Sequence, residues 1–466
     1  MRIWLICHQF FPEFFAGTET VTLHTALRLQ ATGHQVKVIS GHPELVVRNE
    51  EPVRIERYDY NSLPVVRFRK SAERGNRLPY YSTDVRSELS DMLENEPPPD
   101  IVHILHFGNL RPNLLECFKV RSIPTALTVT DFFSVCSLSH LRNYDGSQCK
   151  GPGKDFGNCL RHHLQIVMPE NQIDRLEGYT DEDLGNLAWL SQHQLPESMS
   201  EFLNPPDAGQ PWFADMTRSI REHKQMMNYA LSTVDLVITP NKVTRQMLDQ
   251  SDVAPHWIER LPFGLNKDSI NRSCDDEASR NSELKLIFIG QIARHKGVDV
   301  LIRAIKQLPD SLPVKLSIFG NHEEDGFYSR TLFELAEGLS RIEFLGTFPN
   351  ERIYEILSSH DVIVIPSVWK ENTPMVLLAS QAAGIPAIVS EEEGLLETVT
   401  DEKNGLTFKT GNSEELADCI ARLATDRDLL KRLSQQTLPG FSIEKHTEIL
   451  EELYKRCLAG ATSSAP

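Results

Sequence analysis

The sequence lacks a segment that could cross a membrane, because its apolar runs have the length of strands and end at proline, glycine or charge. Basic residues are also few, with 48 Lys and Arg against 65 Asp and Glu and a net charge of -17. This balance disfavours nonspecific binding to nucleic acid or anionic lipid. The eight cysteines are spread thinly, and the first residues read as a strand and not as a signal peptide. We therefore expect a cytoplasmic protein with reduced thiols.

The length of 466 residues exceeds one ordinary core and fits two α/β domains. Strand-like apolar runs alternate with helical patterns, as a parallel sheet demands. We predict a first domain at residues 1–265, a linker at 266–283, a second domain at 284–458 and a tail at 459–466. Within the first domain the alternation fails at about residues 132–221, which we interpret as an insertion rich in Cys, His, Gly and Pro.

The most informative pattern follows the apolar run at residues 362–365, which stops at Pro366. After a loop, a helical pattern starts at Thr373 and Pro374 and ends at Gly384. These residue types predict a helix with Thr373 as its N-cap, Pro374 in its first turn and Gly384 just beyond its end. The segment therefore predicts a strand, a loop and a helix in succession.

The loop before this helix is the place where a ligand is expected. In open parallel sheets, loops at the carboxyl ends of strands line the ligand crevice, and a helix N-terminus offers free N–H groups to an anion. We therefore expect a phosphate group to face Glu371, Asn372 and the backbone amides of Met375 and Val376.

Two other turns between a strand and a helix could also face a phosphate group. Near the start, a strand at residues 3–7 leads through Gly17 into a helix that stops at Gly33, and Gly17 would let a phosphate approach the backbone. In the second half, Arg294 and Lys296 stand between a strand and a helix, where they could neutralise a diphosphate leaving group. The alternative for this pair is a solvated basic turn.

Taken in chain order, these segments resemble the GT-B glycosyltransferases of family 4, which are retaining enzymes that use nucleotide sugars. The resemblance rests on the Gly17 loop and on residues 99–103, 240, 262–264, 296–297, 371–386 and 404–406. It implies two Rossmann-like domains facing across a cleft, with the Cys/His-containing insertion in the first. The first domain would bind a saccharide or lipid-linked acceptor and the second a nucleoside-diphosphate sugar, without a cofactor or a metal ion. A role in the synthesis of cell-surface polysaccharide is implied as well.

The resemblance also assigns site residues. It places Glu371 beside the donor sugar and Lys296 at the diphosphate. The family has a second Glu, which grips the ribose, where this chain has Ala379. It has a His at Thr130 of this chain, so that Asp131, and more remotely His106, remain as polar groups that could face the cleft.

These departures leave other functions open. A catalytically inactive relative that binds a nucleotide sugar or a partner protein is favoured by Ala379, Thr130 and Gln291, which replaces an Arg of the family. Glu371 and Lys296 favour the enzyme. A nucleotide-sugar epimerase or hydrolase would keep the fold and change the reaction.

The insertion contains Cys136, Cys149 and Cys159, followed by His162. The two-residue gap between Cys159 and His162 suits two ligands of one metal ion, and the four residues would make a Cys3His zinc site. A similar insertion with a final Cys in place of His162 occurs in some bacterial members of the family. The alternative is three ordinary thiols, and we assign no metal ligand from the sequence.

A basic segment at residues 67–77 stands out from the acidic chain. It contains five cations and a single acid, Glu73: the cations are Arg67, Arg69, Lys70, Arg74 and Arg77. Such a cluster suits peripheral contact with an anionic membrane at the inner face of the plasma membrane, or with an anionic lipid-linked acceptor. The alternative is a solvated loop.

Overall fold

The computed structural model forms two compact units. Unit 1 contains Met1–Pro240, Thr244–Pro262 and Glu444–Pro466, and unit 2 contains Asn241–Val243 and Phe263–Ile443. No helix in the described part of the chain is both long enough and apolar enough to span a bilayer. The structure describes residues 1–42, 54–69, 85–139, 141, 143, 148–153, 155–167, 178–190, 212–249, 253–266, 283–323 and 326–463.

The strands and helices alternate over most of the chain. The strands are β1 (Arg2–Cys7), β2 (Gln35–His42), β3 (Arg54–Tyr60), β4 (Leu63–Arg69), β5 (Ile101–Ile104), β6 (Thr125–Thr128), β7 (Leu236–Thr239), β8 (Ile258–Arg260), β9 (Leu284–Ile289), β10 (Val314–Phe319), β11 (Ile342–Gly346), β12 (Val362–Ile365), β13 (Ala387–Ser390) and β14 (Gly405–Phe408). The helices are α1 (Gly17–Ala31), α2 (Arg86–Asn95), α3 (Leu115–Lys119), α4 (Gly157–Val167), α5 (Asp181–Leu190), α6 (Trp212–Thr233), α7 (Lys242–Asp249), α8 (Val298–Gln307), α9 (Gly326–Leu335), α10 (Ile353–Ser358), α11 (Met375–Ala382), α12 (Glu393–Leu396), α13 (Ser413–Thr425), α14 (Arg427–Gln435) and α15 (Ile443–Ser463).

Unit 1 is built on an eight-stranded sheet with the order β3-β4-β2-β1-β5-β6-β7-β8. All neighbouring pairs are parallel except β3 and β4, which form an antiparallel hairpin at the edge. The hairpin turns at Asn61 and Ser62, both in the left-handed region. The predicted insertion appears in its described parts as helices α4 and α5 and the first half of α6.

The last helix, α15, completes unit 1. His103 on β5 is 2% exposed, and its two ring nitrogens lie 2.6 Å from the hydroxyl of Tyr454 and 2.7 Å from that of Thr128. Burial lowers the pKa of His103 to about 3, so the ring stays neutral. His103 is thus a core residue with both ring nitrogens hydrogen-bonded. The predicted second domain ran to residue 458, whereas Glu444–Pro466 belongs to unit 1.

Unit 2 is built on a six-stranded, wholly parallel sheet with the order β11-β10-β9-β12-β13-β14. Separate apolar clusters cover the two faces of this sheet. In β12, for example, Val362 and Val364 point into one cluster while Ile363 and Ile365 point into the other. This double burial explains why the strands of unit 2 are continuous apolar runs.

The described part of the basic segment at residues 67–77 lies at the end of β4, next to the edge strand β3, and its cations have partners. Arg67 is 2% exposed, lies 2.7 Å from Glu13 and donates to the backbone carbonyls of Phe10 and Phe11. Arg69 lies 2.6 Å from Glu56. The inclusion of Arg67 in an exposed basic patch was therefore wrong, because its guanidinium is buried and compensated. Residues 70–77 lie outside the described residues.

Candidate functional site

Two loops meet at the carboxyl ends of neighbouring strands in unit 2. The first follows β9 and contains a 3-10 turn at Arg294–Lys296, and the second follows β12. Because β9 and β12 are neighbours in a parallel sheet, their carboxyl ends share one edge. Both loops were predicted from the sequence as ligand-facing, and the structure brings them together.

Glycine lets the two loops touch. Gly297 adopts the left-handed conformation at φ 69°, and a Cβ there would lie 2.0 Å from the carbonyl oxygen of Pro366. Beside it, the N–H of Val368 donates to the carbonyl of His295 at 3.0 Å. Since any side chain at Gly297 would force the backbones apart, this position fixes the spacing of the site.

Glu371 is the centre of the site. Its Oε1 atom accepts hydrogen bonds from Lys296 Nζ at 2.7 Å, Ser367 Oγ at 2.6 Å and Trp369 Nε1 at 2.7 Å. Glu371 is only 4% exposed, so these donors compensate a buried carboxylate. The ammonium group of Lys296 also lies 4.5 Å from the centre of the Trp369 ring. The arrangement holds one carboxylate and one ammonium group in a fixed geometry.

Helix α11 begins without a side-chain cap, and Pro374 is the residue at its N-cap position. The prediction that Thr373 caps the helix was therefore wrong. The side-chain amide of Asn241 donates instead to Thr373 Oγ1 at 2.9 Å and to Asn372 Oδ1. Asn241 thus fixes the polar turn that precedes Met375 and Val376. Its role could not be predicted from the sequence, because it lies far away along the chain.

Arg294 and Ala379, two further positions named from the sequence, pack against other side chains of unit 2. The guanidinium of Arg294 lies 5.6 Å from the ring of Tyr328, whose hydroxyl donates to Asp299 Oδ1 at 2.7 Å. Burial and the nearby Asp299 raise the pKa of Tyr328. Ala379 is 6% exposed and packs in an apolar cluster with Leu377 and Ile385. The position where the family has its second Glu is thus part of the core in this protein.

A second polar group lies in unit 1 and contains Asp131. The N–H of Gly108 donates to His106 Nδ1 at 2.8 Å, so Nε2 is the ring nitrogen that carries a hydrogen. That nitrogen lies 3.0 Å from Asp131 Oδ2, while Asp131 Oδ1 accepts from the N–H of Phe133 at 2.8 Å. His106 therefore orients Asp131.

The same group includes His8 and the buried Glu19. His8 Nε2 lies 3.2 Å from Glu19 Oε1, and the rings of His8 and His106 are 4.3 Å apart. Burial lowers the pKa of His8 well below its ordinary value, and His106 adds to that effect. Burial raises the pKa of Glu19. For Asp131, burial acts to raise the pKa, but His106 and the N–H of Phe133 outweigh it and hold the pKa below its ordinary value.

These opposite shifts predict opposite responses to pH. The lowered pKa of Asp131 gives stability that is present at neutral pH and is lost as the pH falls through the folded-state pKa. The raised pKa of Glu19 favours its protonated form, so its contribution is lost as the pH rises. We therefore expect Asp131→Asn to lower the thermal unfolding midpoint at neutral pH, by an amount that shrinks in acid, whereas Glu19→Gln should not lower it. Equal decreases for both variants at every pH would contradict this reading.

Gly17 is the first residue of α1, which also begins without a side-chain cap. Among the described residues, apart from its chain neighbours and its own helix backbone, no atom would lie within 4 Å of a Cβ at Gly17. Packing among these residues therefore does not require glycine here. Its predicted role in contacting a phosphate group stays a prediction.

Two family models match the chain in order. The model described as Glycosyltransferase Family 4 matches residues 15–146, and the model described as Glycosyl transferases group 1 matches residues 270–438. The first match includes the Gly17 loop and Asp131, and the second includes Lys296 and Glu371.

Similar proteins and structures agree with these matches. The chain is 26% identical to a D-inositol 3-phosphate glycosyltransferase of Corynebacterium jeikeium, over 60% of this chain and 69% of that protein. It is 30% identical to one of Nocardia farcinica, over 59% of this chain and 64% of that protein. The fold is similar to a sucrose-phosphate synthase from Thermosynechococcus elongatus, with a TM-score of 0.64, 16% identity and coverage of 98% and 99% of the two chains. It is also similar to Anabaena HepE in complex with UDP and glucose, with a TM-score of 0.62, 13% identity and the same coverage.

The family models agree in order with the loops that carry Gly17, Lys296 and Glu371, and the structural neighbours share the fold across almost the whole chain. This protein belongs to the GT-B glycosyltransferases of family 4.

Proposed function

We propose that this protein transfers a sugar from a nucleoside-diphosphate sugar to a saccharide or lipid-linked acceptor with retention of the anomeric configuration. The observation that carries the proposal is the convergence of Lys296, Ser367 and Trp369 on Glu371 at the carboxyl ends of β9 and β12. A fixed cation and a fixed carboxylate beside an uncapped helix N-terminus suit a ligand that has both a diphosphate and a sugar.

Each residue has a distinct part in this proposal. Lys296 and Arg294 neutralise the diphosphate as the anomeric bond breaks, and the first amides of α11 bind its oxygens. Glu371 keeps Lys296 in place and lies beside the donor sugar. Preorganised cations and amides stabilise the developing charge without a metal ion. Asp131 is the proposed catalytic carboxylate of unit 1.

The acceptor is proposed more broadly than the donor. The matched relatives are named for D-inositol 3-phosphate, which makes a phosphorylated polyol a second acceptor class to test. The role in cell-surface polysaccharide rests on the resemblance of the sequence alone. A peripheral membrane contact would have to use cations other than Arg67, which is buried.

The test is a panel of donors with purified protein. Structural neighbours were solved with UDP-glucose and with ADP, so the panel contains UDP-, ADP- and GDP-sugars. We expect one nucleotide to raise the thermal unfolding midpoint, and its sugar to be transferred to an acceptor with nucleotide release. The anomeric configuration of the product is then read by NMR.

The outcomes separate the alternatives. Binding of a nucleotide without turnover for any acceptor would favour the inactive relative, and release of free sugar or of an epimer would favour the hydrolase or epimerase. No response to any nucleotide would refute both the enzyme and the nucleotide-binding relative.

A further inference from the structure

The insertion in unit 1 contains a cluster of thiols and imidazoles that the proposed function does not use. One cavity of about 10 Å³ is lined by residues from three separate segments, among them Cys136, Cys149, Cys159, His162 and His163. A cavity of this size holds a single water molecule or a metal ion and excludes a sugar. The three thiols form no disulfide.

Specific hydrogen bonds hold two of the three segments together. The side chain of Asn158, at the start of α4, accepts from the N–H of Gly153 at 2.9 Å and donates to the carbonyl of Gly151 at 2.9 Å. These bonds attach the turn after Cys149 to the helix that contains Cys159 and His162. The cluster is therefore a folded feature and not a chance proximity of side chains.

The third segment is attached to the same helix. Ser137, next to Cys136, has its hydroxyl 2.9 Å from His163 Nε2, and both residues are buried. His163 Nε2 is thus already engaged by Ser137. His162 is three residues after Cys159, and this spacing places both side chains on the same face of α4.

The sulfur atom of Cys149 has N–H donors beside it. Cys149 Sγ accepts from the N–H of Gly151 at 3.4 Å and from the side-chain amide of Asn158 at 3.6 Å. N–H donors of this kind orient thiolate ligands of metal ions.

We propose that Cys136, Cys149, Cys159 and His162 bind one Zn²⁺ ion that stabilises the insertion. Three thiolates and one imidazole form a closed tetrahedral set, which is typical of structural zinc. The ion leaves no open position for a substrate, so its effect is on stability and not on the transfer step.

Binding must draw the four side chains inward. Among the described residues, no group of three or more His, Cys, Asp or Glu side chains is arranged so that it could hold a metal ion. Hydrogen bonds already hold the three segments around the cavity, so the closure starts from side chains that line one common space. Each thiol that binds releases its proton, and occupancy should therefore fall in acid.

The experiment measures metal content in the full chain. Protein purified without chelator is expected to contain one zinc ion per chain by elemental mass spectrometry. After chelation, Co²⁺ chloride should give a sulfur-to-cobalt charge-transfer band, and removal of zinc should lower the thermal unfolding midpoint. Cys149→Ser and Cys159→Ser should lose the zinc, whereas Cys419→Ser, a control in unit 2, should retain it. His162→Gln should weaken binding and His163→Gln should not remove the metal.

The proposal is overturned if wild-type protein contains no zinc and gives no cobalt band, or if Cys149→Ser keeps a full equivalent of zinc. Variants that fail to fold do not decide the matter, because chelation and cobalt titration use the wild-type chain. Nucleotide binding, measured in the same samples, tests the proposed function separately.

Discussion

Lys296→Ala is expected to raise the activation free energy of sugar transfer by about 2–4 kcal/mol, which lowers kcat/KM roughly 30- to 1000-fold. The reason is that a fixed cation facing the diphosphate contributes most in the transition state, where negative charge develops on the leaving group. The free energy of unfolding should fall by less than this, because Glu371 keeps Ser367 and Trp369 as donors when its cation is removed. Steady-state kinetics with the donor found by the panel, together with thermal unfolding, measure both quantities.

Lys315→Ala is the matched control. Lys315 lies 2.8 Å from Glu343 and is therefore an ion-paired lysine of unit 2, like Lys296. Its pair joins β10 to β11 and has no part in the loops after β9 and β12. Its removal should leave the kinetics unchanged. An unchanged rate for Lys296→Ala would remove Lys296 from the site, and equal losses in both variants would point to the overall charge of unit 2.

Gly297→Ala is expected to reduce both stability and donor binding. A left-handed conformation costs a residue with a Cβ about 1–2 kcal/mol. At Gly297 the Cβ would also lie 2.0 Å from the carbonyl oxygen of Pro366, so the backbones of the two loops must separate. Gly338→Ala isolates the first cost, because Gly338 has φ 80° and a Cβ there would meet nothing within 4 Å.

The difference between the two glycine variants measures the close contact of the loops. We expect Gly297→Ala to lose about 1–3 kcal/mol more free energy of unfolding than Gly338→Ala, as in other overpacked sites. Donor affinity should fall for Gly297→Ala alone, because the separation moves Lys296 away from Glu371. Equal losses would mean that the contact with Pro366 relaxes without cost.

Much of the fold of unit 2 could be predicted from the sequence. Its strands are buried on both faces and therefore appear as uninterrupted apolar runs, which places Lys296 and Glu371 at adjoining strand ends. Their direct ion pair and the contributions of Ser367 and Trp369 could not be predicted, because they depend on loop conformation.

Other features were missed for identifiable physical reasons. Strand β3 is a partly exposed edge strand with polar residues, so it has no apolar run. The last helices of the chain are divided at particular residues, because Asp426 caps a new helix and the glycine at 440 has φ 70° before α15 begins. The group around Glu19 joins residues from distant parts of the chain, which periodicity does not detect.

The return of α15 to unit 1 determines the order in which the protein can fold during synthesis. The hydroxyl of Tyr454 is the hydrogen-bond partner of His103 Nδ1, yet Tyr454 leaves the ribosome some 350 residues after His103. Residues 263–443 of unit 2 are complete before the last strip of the unit 1 core exists. The first unit to begin is therefore the last to finish, and a ribosome that stalls before α15 would leave the face of β5 uncovered.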